Sequence, residues 1–172
     1  MKTTKIIIKK LLFILIVIAT ATNTSNAQNS KKDKQDTKKI IIKNLIDSQN
    51  FIFVPQTVSP LRGGIRELTS YYDLEVSKDS IISYLPYFGR AYTAPLNPSE
   101  VGVNFTSTNF EYKVAPGKKG SWNISIKPKN DVNVQELLLH IFDNSSASLN
   151  VTSHNRDPIS YQGYIMEKKQ KK

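Results

Sequence analysis

The sequence predicts a mainly β fold. It is an antiparallel curved sheet, a sandwich or a small barrel of about eight or nine strands, with one N-terminal helix packed on it. Three observations predict this. Beyond residue 50 the apolar pattern changes from a period of 3.6 to a period of 2. Turn signals separate the alternating runs, at Gly63-Gly64, residues 95–98, Pro116-Gly117, Asn130-Asp131 and Asp143-Asn144. The chain has 172 residues and no cysteine, so it has the length of one domain, and its core must hold without disulfides.

The elements follow in order. Lys2, Lys5, Lys9 and Lys10 precede an unbroken apolar run at residues 11–19, and Ser25-Asn26-Ala27 has the small-x-small form of a signal-peptidase site. Nine apolar residues span only ~14 Å as a helix, too short for a bilayer core of ~30 Å. A cleavable leader over residues 1–27 is therefore expected, cut between Ala27 and Gln28. No transmembrane segment would remain after cleavage. The protein would be exported, periplasmic or extracellular, and with no cysteine it is not a lipoprotein. Residues 28–37 read as a Lys-rich polar linker. Ile41, Ile42, Leu45 and Ile46 then take helical spacing, with Asp36 or Thr37 as the cap and Ser48-Gln49-Asn50 as the stop.

A single β-rich domain is expected over residues 38–166. Phe51 and Phe53 alternate with Ile52 and Val54 before Pro55. Tyr72, Leu74 and Val76 alternate with polar residues, and residues 81–85 follow after the turn at Lys78-Asp79. Further strands are read around Val103, Tyr112, Ile124, residues 134–142, Leu149 and residues 159–166. Residues 167–172 form a Lys-rich tail.

The formal charge of +10 suggests an acid-seeking protein until it is divided along the chain. The leader carries four lysines, residues 28–43 a net +4, residues 167–172 a net +3, and residues 44–166 a net −1. The basic balance thus belongs to the ends. A nucleic-acid binder needs a basic face on the folded body with aromatics to stack bases, so no nucleic-acid partner is expected.

The stretch Tyr84-Leu85-Pro86-Tyr87-Phe88-Gly89-Arg90-Ala91-Tyr92 resembles the DUF4251 family, a domain of unknown function found mainly in exported proteins of Bacteroidetes. Similarity extends to Phe51-Ile52-Phe53-Val54, to Ala94-Pro95-Leu96-Asn97-Pro98 and to the closing Ser153-His154-Asn155-Arg156-Asp157-Pro158 run. The resemblance covers roughly residues 38–166. It implies an exported β-rich domain and carries no activity, substrate or catalytic residue with it.

Catalytic patterns are scarce. His140 lies within an apolar strand and His154 in a loop, and the chain has no His-x-His, no His-Glu-x-x-His and no Gly-x-Ser-x-Gly. No metal and no cofactor are expected. The strongest binding candidates are Tyr84, Tyr87, Arg90 and Tyr92, with Asn155, Arg156 and Tyr161 as a second group. Tyrosine and arginine offer large contact areas with polar tips, and Gly89 offers a positive φ that would aim Arg90. Two readings stay open. Either the groups line one surface for a sugar, peptide or anionic ligand of the envelope, or the tyrosines are packing and the arginines pair with Asp73, Glu75 or Asp157. Ser80, within Asp79-Ser80-Ile81, resembles the Asp-Ser/Thr-aliphatic motif O-glycosylated in exported Bacteroidetes proteins.

The preferred reading is a non-enzymatic exported domain that binds or scaffolds an envelope component through its Tyr/Arg surface. The alternatives are an envelope hydrolase with a site assembled around His154 or His140, and a protein that adheres to the surface through its basic tails.

Overall fold

The computed structural model describes residues 25–92, 102–129 and 133–168. The apolar run of the expected leader, the turns at residues 95–98 and Asn130-Asp131, and the last four residues lie outside them.

Helix α1 spans Ser25–Asp47. The expected start was Asp36 or Thr37, but no glycine or proline interrupts residues 25–47, and the lysines and glutamines of the expected linker are good helix formers. The chain divides into two compact units, Met1–Thr37 and Lys38–Lys172. In the second unit Ile42 and Ile46, one turn apart, are buried in the core. The helix stops where its sequence says it should. Gln49 takes a positive φ of 50°, and the Asn50 amide donates to the Leu45 carbonyl at 3.1 Å.

The strands are β1 (Phe51–Pro60), β2 (Arg66–Glu67), β3 (Asp73–Val76), β4 (Ile81–Leu85), β5 (Val103–Ser107), β6 (Phe110–Pro116), β7 (Trp122–Pro128), β8 (Val134–Ile141), β9 (Ser146–Ser153) and β10 (Ile159–Glu167). Nine of them form one sheet in the order β5-β4-β3-β1-β10-β9-β8-β7-β6, with β2 paired to β1 off this path. All pairings are antiparallel.

The chain starts in the middle of the sheet, meanders out to one edge, resumes at the other edge and returns to lie beside its own first strand. The step between the edges fixes the shape. Laid flat, nine strands would hold β5 and β6 ~38 Å apart. Only Thr108 and Asn109 connect them, a reach of roughly 11 Å. The sheet therefore curls until it is nearly closed into a barrel.

Alternation decides what faces inward. Phe51 and Phe53 of β1, Leu74 and Val76 of β3, Leu137 and Leu139 of β8, and Ile159, Tyr161 and Ile165 of β10 all join one core with the helix isoleucines. The Tyr112 hydroxyl of β6 ties helix to sheet by donating to the Ile46 carbonyl at 3.2 Å.

Strand β1 runs past the proline at which the sequence pattern stops. Pro55 opposes Gly163 and Thr57 opposes Gln162, which leaves Gln56 as a bulge residue. On its other side β1 pairs with β3 only over residues 51–53 and with β2 only at Thr57 and Val58. Pro55 therefore falls in the gap between two partners, where a missing N–H leaves no ladder bond unmade.

Burial raises the pKa of the Tyr161 and Tyr112 phenols above the ordinary tyrosine value. The folded state then holds these protons more tightly than the unfolded chain does. That stability is intact below pH ~10 and is lost as the pH climbs past it. The melting temperature should be flat to pH ~9 and fall above pH ~10. Phenolate absorbance should show the last of the eight tyrosines ionising only as the fold melts. Ionisation of all eight in an intact fold would contradict the burial of these two.

Candidate functional site

Chain direction sets up the site at one end of the barrel. Strand β4 leaves the sheet at Leu85-Pro86, and residues 86–92 fold over the turn between β9 and β10. The Tyr92 amide donates to the Asn155 carbonyl at 2.8 Å, and the Asp157 amide donates to the Arg90 carbonyl at 2.9 Å. Ala91 and Arg156 thereby form an antiparallel bridge. The Tyr87 hydroxyl lies 2.9 Å from both the Arg90 and the Asp157 carbonyl oxygens and shares its proton between them. The Tyr92 hydroxyl donates to the Asp157 carboxylate.

Gly89 was expected to supply a positive φ, and it does not. A side chain there would meet the Tyr87 ring, with Cζ 2.6 Å from an added Cβ. The glycine makes room for the tyrosine rather than aiming the arginine.

Arg156 holds this clasp from within. It is only 8% exposed, its Nη1 donates to the Gly102 carbonyl at 2.7 Å, and its guanidinium lies 5.2 Å over the Tyr87 ring. A planar cation can bond in its plane and stack on its face at once, which a lysine cannot do. The cavity beside it, of about 30 Å³, is lined by Gly102, Val103, Asn133, Ser153 and Arg156 among others. That is room for a water, not for a ligand.

The structure thus brings Tyr87, Arg90, Tyr92, Asn155 and Arg156 together. Asn155 is itself anchored, its Nδ2 donating to Asn133 Oδ1 at 3.0 Å. Tyr161 lies beneath them in the core and donates to the Pro86 carbonyl at 2.7 Å. Tyr84 stands apart on the outer face of the sheet, its ring 5.5 Å from that of Tyr72.

Two further arginines arrive from a segment that the sequence reading passed over. Strands β1 and β2 form a hairpin whose loop, residues 61–65, turns at Gly63 with a φ of 108°. Arg62 and Arg66 flank the loop glycines and are exposed, and the Arg66 guanidinium sits 5.0 Å over the Phe88 ring. Tyr92 is raised above the ordinary tyrosine value chiefly by its hydrogen bond to Asp157, an effect opposed by the nearby charges of Arg62 and Arg90.

Only four of the chain's 24 cationic side chains are arginines, and all four gather around residues 87–92. Among the described residues, Arg62, Arg66 and Arg90 make no ion pair. One arginine builds the platform, and the other three are exposed on it.

A family model described as a domain of unknown function, DUF4251, matches residues 31–165. The chain belongs to the DUF4251 family. The crystal structure of a DUF4251 family protein from Bacteroides eggerthii DSM 20697 is similar to this DUF4251 domain, with a TM-score of 0.55 and 13% sequence identity. The match covers 76% of this chain and 88% of the other, and it is a likeness of fold. No curated protein matches the chain.

Elsewhere in the DUF4251 domain, His140 lies half-buried on the outer face of β8, where Nδ1 is 2.5 Å from Asn123 Oδ1 and the ring meets Phe142 edge-on. His154 is exposed in the β9–β10 turn. Neither makes a hydrogen bond to a serine or a carboxylate among the described residues. No three metal-binding side chains cluster there either. Ser80 is half-buried in the turn between β3 and β4, with its hydroxyl 3.2 Å from the Asp79 carboxylate.

An open groove of about 710 Å³ follows the β1 bulge on the outer face and is bordered by Tyr71, Tyr72 and Tyr164. The sequence reading missed it. Its signal was the Tyr71-Tyr72 pair at a strand start, together with Tyr164 out of phase with its core neighbour Ile165.

Proposed function

We propose that this DUF4251 domain is exported and non-enzymatic, and that it binds an envelope component on the arginine-bearing end of its barrel. One observation carries the reading: four arginines from distant parts of the chain converge on one tyrosine-rich segment. Arginine in place of lysine favours flat, bidentate recognition of oxyanions and stacking on aromatic faces. Tyrosine and arginine are also the side chains that concentrate binding energy at interfaces. Arg156, with Tyr87 and Tyr161 behind it, fixes the backbone on which Arg90 and Tyr92 are presented, so the surface needs little ordering when a ligand arrives. Export is supported by the basic, apolar and small-residue order of the first 27 residues.

Thermal-shift measurements with peptidoglycan fragments, an acidic peptide and lipid-headgroup phosphates test the reading. A ligand at 100 times its Kd should stabilise the wild-type chain by ~2.7 kcal/mol. The R62A/R66A/R90A variant should melt like the wild type alone and show no such gain. Equal gains in both proteins, or none in either across the panel, would overturn it.

A further inference from the structure

The arginine-bearing end also exposes apolar side chains, and it exposes them in a hairpin loop. Ile65 is 73% exposed and Leu61 is 61% exposed, both in the β1–β2 loop. Phe88 and Tyr92 stand beside that loop, also exposed. Scattered apolar residues on a surface need no explanation, but a cluster interleaved with exposed cations marks a contact surface. We infer that this end of the barrel docks on an anionic lipid surface, with Leu61 and Ile65 entering the headgroup region and Arg62, Arg66 and Arg90 meeting lipid phosphates. The inference rests on the binding role proposed above and names its target.

Shape and charge favour this occupant over others. Residues 61–67 are all exposed, and the cavity beside Arg156 is of water size, about 30 Å³. A free anion is best enclosed in a cleft, whereas a bilayer accepts an exposed loop that carries apolar side chains between cations. Aromatic side chains with polar tips settle at the headgroup level. Arginines adjoining apolar residues can keep their stems in the interface and their heads at the phosphates. The folded body carries a net −1 over residues 44–166, so the attraction comes from this local cluster rather than from a basic domain.

The chain contains no cysteine, which allows one probe to be placed at will. I65C and N144C, each labelled with an environment-sensitive fluorophore, report the two ends of the barrel. Asn144 lies in the turn between β8 and β9, beyond the end of β10 opposite to Pro60 and Ile159. Vesicles of phosphatidylcholine with phosphatidylglycerol should shift the Ile65 probe to the blue and leave the Asn144 probe unchanged. Pure phosphatidylcholine should bind far more weakly, and adding R62A/R66A/R90A to I65C should weaken binding roughly 100-fold at low salt.

A poly-glutamate peptide and inorganic phosphate serve as soluble arms. A response of the Ile65 probe to these but not to vesicles would overturn the lipid inference and leave the binding role standing. A response to neither would overturn the lipid inference and leave the binding role to the peptidoglycan arm of the thermal-shift panel. Equal shifts at the two ends would place membrane contact elsewhere on the chain and would also overturn the inference.

Discussion

Replacing Gly163 with alanine is expected to destabilise the barrel by about 3 kcal/mol, more than an ordinary surface change in a strand. Gly163 sits opposite Pro55 in the β1–β10 ladder, beside the bulge at Gln56. A Cβ there would lie 2.8 Å from the Pro55 Cα and 2.9 Å from the Val54 carbonyl carbon, and it would press on the Val54 carbonyl oxygen. All three atoms are backbone, so no side chain can turn away. The strands must part at the joint where the first strand of the sheet meets the last. Urea denaturation should show a lower midpoint, matching a fall of roughly 10 °C in melting temperature for a domain of this size. A midpoint within error of the wild type would mean that the two strands are not held this closely.

Arg156→Ala is expected to cost a similar amount, about 3 kcal/mol, for a different reason. It removes a charged hydrogen bond to the Gly102 carbonyl and the guanidinium lying over Tyr87. It also leaves an opening at a buried position, since the side chain is only 8% exposed. Arg156→Lys should recover little, because an ammonium cannot bond in plane and stack on the ring together. Chemical denaturation of the three proteins checks this. If Arg156→Lys matched the wild type, charge alone would be holding the clasp, and the planar geometry would be irrelevant.

Strand periodicity made the barrel wall legible, because one inward residue in two is a local property that each strand declares for itself. The same parity places Tyr161 correctly. It is in phase with Ile159 and Ile165, so its inward position was written in the pattern although its tyrosine tip drew attention as a binding group. Tyr84 is likewise out of phase with Ile81, Ser83 and Leu85, and it faces outward.

What stayed hidden depends on distance in the chain. The continuation of β1 through Pro55 was unreadable because the proline is tolerated only by a gap between β2 and β3, which is a fact about partners. The early start of α1 was missed because a polar, Lys-rich run looks alike as linker and as helix. Arg62 and Arg66 gave no local sign of belonging to the Tyr87–Tyr92 group. They reach it because β1 is a central strand whose loop emerges at the same end as the exit from β4.

The central claim is that the exposed arginines and the loop at residues 61–65 form the binding surface, while the buried arginine serves the fold. It is tested most directly by mapping contacts on the whole chain at once. Amide spectra of the ¹⁵N-labelled protein should be followed during titration with bicelles containing phosphatidylglycerol, and in parallel with poly-glutamate. Perturbations are predicted to begin and concentrate at residues 61–66 and 88–92 and to spare the Asn144 turn. Perturbations confined to the Lys-rich ends, to the Tyr71 and Tyr164 groove or to the surroundings of His140 would contradict the account.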